Sequence, residues 1–212
     1  MFIIDFDDTL FNTHDFKKVR MNALVASGVS QLDYQETYLE ASKKNDVFTY
    51  SNERHAELLS LRGYDQDRTL AALQETTGEI LRDFLFPDTV EFIQKFKETG
   101  MPLVLLSLGE ESFQELKVKG SGIDHYFDRM FMVQESKEYV IQELIDVGER
   151  EEEMWFINDK VGESLLIKNA FPAMNIVLKK SASIHEEEYK KSNLPYFHTL
   201  TEIYTYVREK NT

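Results

Sequence analysis

The sequence predicts an α/β protein whose doubly wound, Rossmann-like parallel sheet carries a helical segment inserted after its first strand. Short, continuously apolar segments alternate with segments of helical periodicity over most of the chain. Strands that are apolar along their whole length are typical of a parallel sheet, because helices cover both of its faces. The stretch between residues 13 and 86 departs from this alternation, since no strand pattern in it is convincing.

The predicted strands are short apolar runs bounded by polar or turn-forming residues. In chain order they are residues 2–6, 103–107, 130–133, 155–158 and 175–178. The helices between them are expected to end at glycines, which accept the left-handed conformation that commonly follows a helix. Three such glycines are Gly100, Gly120 and Gly148.

Helix starts are indicated by capping residues. Asp88 and Glu91 resemble a capping box at the start of the helix after Pro87. Ser136 is a candidate N-cap for the helix after the third strand. Further helices are predicted near residues 111–119, 161–170 and 200–210.

The inserted stretch is predicted to be uniformly helical. Its helices are expected near residues 14–27, 33–45, 52–62 and 67–85. The insert begins after the first strand and ends just before the helix that leads to the second. We therefore predict a core domain of residues 1–12 and 87–212 and a helical cap domain of residues 13–86, with the cap acting as a lid over the strand ends.

Charge and composition exclude several classes of function. The 212 residues carry a formal net charge of -14, which disfavours nucleic acid and anionic membranes as partners. There is no cysteine, so a thiolate nucleophile and cysteine-bound zinc are excluded. No apolar run approaches the ~20 residues of a membrane helix, and the N-terminus lacks a signal-peptide pattern, so we expect a cytoplasmic protein.

Polar side chains gather where the predicted strands end. Asp5 and Asp7 come at the end of the first strand, and Ser107 ends the second. Lys137 opens the helix after the third strand, and Asp159 follows the fourth. Since ligands bind beyond the carboxyl ends of parallel strands, we expect these side chains to meet at one site.

Carboxylates that converge on one site repel each other unless a cation lies between them. Asp5, Asp7 and Asp159 are joined by Glu163, four residues beyond Asp159. Repulsion of this kind raises carboxyl pKa values, and a bound divalent cation removes it. Magnesium prefers oxygen ligands and keeps several waters, so two carboxylates and a backbone carbonyl would suit it.

These residues resemble the four motifs of the haloacid-dehalogenase-like superfamily. Its first motif, Asp-x-Asp-x-Thr after a strand, is matched by Asp5-Phe6-Asp7-Asp8-Thr9. Ser107 matches the second motif and Lys137 the third, and the acidic fourth motif is matched by Asn158-Asp159-Lys160-Val161-Gly162-Glu163. The motifs occur in the expected order over nearly the whole chain. The insert resembles the C1 cap of this family's small-molecule phosphatases.

Three positions depart from the family pattern. Asp8 stands where glycine is common, and Asn158 replaces the usual glycine of the fourth motif. Glu163 replaces the second aspartate of that motif and is longer by one methylene. Its carboxylate could reach a metal directly, through water or not at all.

The resemblance implies a phosphoryl transfer through an aspartyl-phosphate. Asp5 would be the nucleophile, and Asp7 would protonate the leaving oxygen and then activate water. Ser107 and Gly109 would bind the phosphoryl oxygens, while Lys137 would neutralise their charge. The resemblance also implies Mg²⁺ as the cofactor. Its ligands would be Asp5, the backbone carbonyl of Asp7, Asp159 and Glu163.

Other polar residues are interpreted as structural. Arg20 and Lys17 of the insert could face the cleft from the cap, but a surface position is expected for each. Lys117 is an alternative to Lys137 but does not open a helix after the third strand. The histidines are scattered and form no His-x-x-x-His pair, so a histidine metal site is not supported.

The leading hypothesis for function is hydrolysis of a small phosphorylated metabolite. A phosphomutase of the same family would use the same nucleophile, and a non-catalytic phosphate-binding protein on the same scaffold is a further alternative. Asp7 argues against halide removal, which needs no acid at that position. The strong negative charge argues against a polynucleotide end-phosphatase.

Overall fold

A six-stranded sheet in which all neighbouring strands are parallel forms the centre of the structure. This computed structural model describes residues 1–45 and 47–211. The strands are β1 (Phe2–Ile4), β2 (Lys43–Lys44), β3 (Val47–Phe48), β4 (Leu103–Leu108), β5 (Arg129–Val133), β6 (Trp155–Asn158), β7 (Asn175–Lys179) and β8 (Tyr196–Phe197). The sheet order is β5-β4-β1-β6-β7-β8, and β2 and β3 form a separate antiparallel hairpin. The predicted fold class is confirmed.

The helices lie between the strands as the sequence pattern indicates. They are α1 (Thr13–Ala26), α2 (Gln31–Ser42), α3 (Asn52–Ser60), α4 (Gln66–Glu75), α5 (Thr89–Lys97), α6 (Glu111–Gly120), α7 (Glu138–Asp146), α8 (Val161–Ala170), α9 (Glu186–Ser192) and α10 (Leu200–Lys210). Gly100 and Gly148 follow α5 and α7 with φ of 73° and 108°, the left-handed conformation expected after a helix. Among the described residues, no helix has both the length and the hydropathy needed to cross a membrane.

The central strand β1 is buried on both faces of the sheet. Phe2 and Ile4 belong to the apolar cluster on one face, which includes residues of α5 and α10. Ile3 belongs to the cluster on the other face, which includes residues of α7 and α8. Because successive side chains of a strand point to opposite faces, three apolar residues in a row fit only a strand covered on both sides.

Helices α1 to α4 pack around an apolar cluster of their own. Its buried members are Leu24, Val29, Tyr34, Ala56, Leu59 and Leu73. The hairpin of β2 and β3 joins α2 to α3 and also contacts the loop after β5. There the Phe48 amide donates to the carbonyl of Gln134 at 3.1 Å, and Gln134 Nε2 donates to the Phe48 carbonyl at 2.9 Å. The insert is therefore tied to the C-terminal edge of the sheet.

Two predictions for the insert are wrong. The helix expected at residues 67–85 ends at Glu75, and a separate 3₁₀ helix follows at Glu79–Phe84. Gly78 precedes this second helix with φ -85° and ψ -140°, a conformation outside the helical region. The insert also contains the β2–β3 hairpin, whose turn has Asn45 in the left-handed region at φ 50°. Asparagine tolerates that region, so the chain reverses where continued helix was expected.

Two predicted caps also differ in the structure. The Asp88 carboxylate does not cap α5 but accepts hydrogen bonds from the amide and hydroxyl of Thr201, at 2.9 and 3.1 Å. It thereby links the start of α5 to the start of α10. Ser136 Oγ accepts a hydrogen bond from the Glu138 amide at 3.1 Å, although the N-cap position of α7 is occupied by Lys137.

Arg20 lies inside the insert, so its predicted surface position is wrong. Only 1% of it is exposed, and its guanidinium donates to the hydroxyl of Tyr50. The Thr37 hydroxyl donates to the Asp33 carbonyl at 2.6 Å, so it acts as acceptor for His55 Nε2, which lies 3.0 Å away. The other ring nitrogen, Nδ1, then accepts from the Tyr50 hydroxyl at 2.9 Å. Burial and the nearby Arg20 charge lower the pKa of His55 to about 3, which keeps the imidazole neutral.

We predict that the buried His55 makes the protein less stable in mild acid. Below pH about 6.5 the unfolded chain takes up a proton on His55 that the folded state excludes, so the free energy of unfolding falls by about 2 kcal/mol between pH 7 and 5. Urea denaturation at the two pH values measures this loss. In His55→Gln the pH dependence should be smaller by that amount, whereas the exposed His125→Gln should behave like the wild type. Equal pH dependence in His55→Gln and the wild type would contradict the account.

Candidate active site

The predicted site residues meet at the C-terminal edge of the sheet. Asp5 follows β1, Ser107 lies in β4, Lys137 precedes α7 and Asp159 follows β6. Asp5 is 4% exposed, and its two carboxylate oxygens have different partners. Oδ1 accepts from Lys137 Nζ at 2.5 Å, and Oδ2 accepts from the hydroxyl of Thr9 at 2.9 Å. The Asp5 carboxylate is thus fixed in orientation by residues from two separate parts of the chain.

Lys137 is a fully buried cation between two carboxylates. Its Nζ lies 2.5 Å from Asp5 Oδ1 and 2.8 Å from Glu163 Oε1. Burial alone would lower the pKa of Lys137, but the two adjacent carboxylates raise it above its ordinary value. The ammonium is therefore charged at neutral pH and lies where charge on a group bound to Asp5 would be neutralised.

Glu163 is engaged with protein donors. Besides Lys137, it accepts a hydrogen bond from Asn158 Nδ2 at 2.9 Å. Burial would raise the pKa of Glu163, but Lys137 and Lys160 outweigh it and lower the pKa below its usual range. In this structure the Glu163 carboxylate therefore orients Lys137, and its predicted role as a metal ligand stays a prediction. Asn158, at the position where glycine is usual, holds that carboxylate.

Asp159 is the least compensated charged group of the site. It is 1% exposed, and its Oδ1 has no hydrogen-bond partner. Burial and the neighbouring charge of Asp5 raise the pKa of Asp159 well above its ordinary value. Its backbone carbonyl accepts from the buried hydroxyl of Tyr189 at 3.0 Å, which fixes the loop after β6. An unpartnered carboxylate beside a second carboxylate is an arrangement that a divalent cation would stabilise.

The carboxylates of Asp5 and Asp159 fit a magnesium ion as two of its ligands. Among the described residues no group of three or more His, Cys, Asp or Glu side chains is arranged to hold a metal, so the side chains alone form only part of a coordination shell. Magnesium commonly binds through one or two carboxylates and completes its shell with water and substrate oxygens. The donor set is therefore suited to magnesium.

Asp7 is held by three side chains that all donate to it. Lys117 Nζ lies 2.6 and 2.8 Å from its two oxygens, Gln114 Nε2 donates at 2.8 Å and the Thr13 hydroxyl at 2.5 Å. Burial would raise the pKa of Asp7, but Lys117 and these hydrogen bonds lower it far below its usual range. Asp7 is consequently ionised in this arrangement. Lys117, which sequence analysis set aside, is the buried partner of Asp7.

Gln114 also changes the expected use of the loop after β4. Its Nε2 donates to Ser107 Oγ and to the Leu108 carbonyl, both at 3.0 Å. A Cβ atom at Gly109 would lie 2.5 Å from the same Nε2, so Gly109 makes room for the Gln114 side chain. The Gly109 amide donates to the Val133 carbonyl at 2.7 Å. The predicted role of Gly109 in phosphate binding stays a prediction, and the close contact shown here is with Gln114.

The turn after Asp5 explains one departure from the family pattern. Asp8 has φ 58°, the left-handed region that glycine adopts without strain and that aspartate tolerates better than most residues. The Asp8 carboxylate accepts from the His14 amide at 3.3 Å, across the junction with α1. Asp8 thus adopts the turn conformation that glycine usually provides, and its polar side chain also lines the site.

A cavity of about 160 Å³ separates this edge of the sheet from the insert. On the core side it is lined by Asp7, Asp8 and residues of the loop after β4, including Gly109. The insert side is formed mainly by aromatic and basic side chains. Prominent among them are Phe16, Lys17, Arg20, Tyr38 and Tyr50. The cavity is bounded by both parts of the molecule and lies directly beside Asp7.

Comparison with known families agrees with this geometry. The family model for haloacid dehalogenase-like hydrolases matches residues 1–170. The chain belongs to this hydrolase family. Members of the family typically use Mg²⁺, which accords with the donor set of Asp5 and Asp159. A search of curated proteins finds none that matches the chain.

Solved structures of haloacid dehalogenase-like proteins share the fold. An L-2-haloacid dehalogenase from Xanthobacter autotrophicus has a TM-score of 0.67 at 15% identity, covering 98% of this chain and 97% of its own. A protein assigned as a β-phosphoglucomutase from Thermotoga maritima has a TM-score of 0.69 at 14% identity, covering 98% of both chains. A predicted phosphoglycolate phosphatase from Haemophilus somnus has a TM-score of 0.64 at 15% identity, covering 98% and 97%. At these identities the similarity shows the fold, and three different chemistries are represented.

We predict opposite effects on stability when Asp159 and Glu163 are neutralised without metal. Asp159→Asn removes an unpartnered buried charge and should raise the melting temperature by several degrees, at about 2–4 °C per kcal/mol for a chain of this size. Glu163→Gln removes a carboxylate that is paired with Lys137 and should lower it. Thermal unfolding in excess chelator measures both. Shifts of the same sign would show that the charge balance at this edge has been assigned incorrectly.

Proposed function

We propose that the protein is a magnesium-dependent phosphatase that hydrolyses a small phosphomonoester through an aspartyl-phosphate on Asp5. The observation that carries this proposal is the buried Asp5 carboxylate, oriented by Lys137 and Thr9 beside the unpartnered Asp159. A carboxylate with one fixed cationic neighbour can attack phosphorus while the cation stabilises the charge that develops on the phosphoryl oxygens.

In the first step an oxygen of Asp5 forms a bond to phosphorus, and the bond between phosphorus and the ester oxygen breaks. The leaving alkoxide takes up a proton, and the phosphoryl group remains on Asp5. Lys137 stays within hydrogen-bond reach of Asp5 throughout, since Glu163 holds it from the other side. Ser107 lies at the end of β4 with its hydroxyl close to Gln114, and in the proposed function it donates to a phosphoryl oxygen.

In the second step water attacks phosphorus and gives its proton to Asp7, which releases inorganic phosphate and restores the Asp5 carboxylate. Lys117 and the hydrogen bonds that lower the pKa of Asp7 make its carboxylate a weak base, so in this step it accepts the proton with its contact to Lys117 released. In the proposed cycle Asp7 enters the first step protonated, with the proton taken from water in the preceding turnover, and gives that proton to the leaving alkoxide. We therefore assign Asp7 both roles and infer that its contact with Lys117 loosens during turnover.

The proposed magnesium site consists of the carboxylates of Asp5 and Asp159 and the backbone carbonyl of Asp7. Bound magnesium would supply charge neutralisation for the phosphoryl oxygens and would remove the repulsion between the two carboxylates. Glu163 is assigned to Lys137 instead. In this assignment the last residue of the fourth motif supports the cation of the third motif.

Residues 13–86 are proposed to form a cap of the C1 type over a core of residues 1–12 and 87–212. The cavity lies between the two, and the first passage of the chain between them lines it at Thr13. Closure of such a cap excludes water and strengthens the electrostatic interactions at the phosphoryl group. A cavity of about 160 Å³ suits a short metabolite, since sites for drug-sized ligands measure about 300–1,000 Å³.

We predict that Asp5→Asn abolishes phosphate release while the protein stays folded. An amide is nearly isosteric with the carboxylate but is a very poor nucleophile. The measurement is release of inorganic phosphate from a panel of phosphorylated metabolites with magnesium, and circular dichroism verifies the fold. Phosphate release by the wild type also distinguishes hydrolysis from a mutase, which would instead isomerise a sugar phosphate. Substantial turnover by folded Asp5→Asn would refute the assignment of the nucleophile.

We predict that Mg²⁺ stabilises the wild type through Asp159. A ligand that binds only the folded state raises the melting temperature, by about 2.7 kcal/mol of stabilisation at 100 times its Kd. Asp159→Asn should lose most of this increase, and Glu163→Gln should retain it because Glu163 is engaged with Lys137. Thermal unfolding with and without Mg²⁺ gives the comparison. A larger loss in Glu163→Gln than in Asp159→Asn would assign the metal to Glu163.

A further inference from the structure

Arg20 is a buried cation whose hydrogen-bond partners are all neutral. Its Nη1 donates to the Thr76 hydroxyl at 2.8 Å and its Nη2 to the Asn52 side-chain carbonyl at 2.6 Å, in addition to Tyr50. Among the described residues no carboxylate forms an ion pair with it. A buried charge is costly unless an opposite charge compensates it, so the guanidinium leaves a positive charge inside the insert that the protein itself does not balance.

The unbalanced charge of Arg20 faces the cavity beside Asp7. Arg20 is one of the residues that line that cavity, and its Nε has no hydrogen-bond partner although it is fully buried. The guanidinium carbon lies 5.2 Å from the ring centres of Phe16 and Tyr50 and 5.3 Å from that of Phe113. These rings shield the charge from bulk water, and shielding strengthens its attraction for an anion within the cavity.

A second cation from the same helix lines the cavity. Lys17, three residues before Arg20 on α1, is exposed, with its Nζ 5.2 Å from the ring centre of Tyr38. Within the part of the chain that the structure describes, it forms no ion pair. All three acidic residues of the lining lie on the core side: Asp7 is paired with Lys117, Glu110 caps α6, and Asp8 accepts from the His14 amide while its charge also attracts Lys17. The insert side of the cavity is therefore positive in a chain whose net charge is -14.

We propose that the insert side of this cavity binds a carboxylate carried by the phosphate ester, with Lys17 as its direct partner and Arg20 as the buried charge behind it. This subsite rests on the proposed phosphatase function and specifies its substrate class. The substrate would place its phosphoryl group at Asp5 and extend a short, carboxylate-bearing carbon chain past Asp7 towards α1.

A carboxylate fits these donors better than a second phosphate does. The Nη groups of Arg20 are occupied by Tyr50, Asn52, Thr76 and the Leu73 carbonyl, so its two-pronged edge is not open to a ligand. What remains is one N–H of Arg20 and the ammonium of Lys17, which together match a single negative charge. The small volume of the cavity also favours the smaller anion.

The test is direct binding to Asp5→Asn, which does not turn the ester over. Calorimetric titration with Mg²⁺ present compares three two-carbon esters that differ in their terminal group: 2-phosphoglycolate with a carboxylate, ethyl phosphate with a methyl group and O-phosphoethanolamine with an ammonium. We expect 2-phosphoglycolate to bind about tenfold tighter than ethyl phosphate, as one charge-assisted hydrogen bond would give, and O-phosphoethanolamine to bind most weakly.

Substitutions in the same background locate the effect. Lys17→Gln should remove most of the preference for the carboxylate and leave the affinity for ethyl phosphate unchanged. Lys18→Gln is the matched control, because Lys18 pairs with Asp15, does not line this cavity and changes the net charge equally. Arg20→Met should also remove the preference, and if it fails to fold, the comparison of Lys17 with Lys18 decides alone. If Lys17 or Arg20 had only a structural role, its substitution would change the affinity for all three esters by a similar factor.

Three results would overturn the subsite. Equal affinities for the three esters, with phosphate release by the wild type intact, would remove it and leave the proposed phosphatase function standing. Equal losses in Lys17→Gln and Lys18→Gln would show that net charge, and not this cavity, sets the preference. Failure of every ester to bind, together with no phosphate release from any metabolite, would overturn both the subsite and the phosphatase.

Discussion

The ion pair between Lys137 and Asp5 is the interaction on which the site depends. Both groups are buried, and the ammonium is held from its other side by Glu163 and, through it, by Asn158. A buried pair of this kind is stable only when the remaining donors and acceptors are satisfied, and removal of one partner costs about 3–5 kcal/mol. Thr9 supplies the second hydrogen bond to Asp5, so the carboxylate keeps one orientation. The exception is Asp159, whose unpartnered oxygen marks the place where a cation would complete the charge balance.

Much of this could be predicted from sequence, because parallel strands bring their carboxyl ends together whatever the details of packing. Asp5, Ser107, Lys137 and Asp159 each stand next to a strand of the sheet, so strand positions alone were sufficient to bring them together. Glu163 was ambiguous in sequence, since its place in the fourth motif is compatible with a metal ligand or with a partner of Lys137, and the structure shows the contact with Lys137. No sequence pattern indicated that Lys117 and Gln114 contact the site. They lie on the inner face of α6, and their contact with Asp7 spans more than a hundred residues of sequence.

The insert was predicted to be helical, but a buried charged side chain in its interior was not predicted. Arg20 resembles any basic residue of an amphipathic helix, and nothing local shows that Tyr50, Asn52 and Thr76 will surround it. The same network keeps the His55 imidazole neutral, so protonation of His55 in acid would destabilise the insert. The buried charges of the core and of the insert are therefore compensated differently. Opposite charges are paired tightly around Asp5, whereas a positive charge lacks an opposite partner across the cavity, and a substrate with two negative ends would connect them.

The central claim is that Asp5 carries the phosphoryl group, and binding of beryllium fluoride tests it most directly. Beryllium fluoride mimics a phosphoryl group on a carboxylate, so with Mg²⁺ the wild type should give distinct bound ¹⁹F resonances. These resonances should be absent from Asp5→Asn and should disappear from the wild type on addition of a chelator. Bound resonances that persist in folded Asp5→Asn would contradict the account, because the phosphoryl group would then reside on another residue.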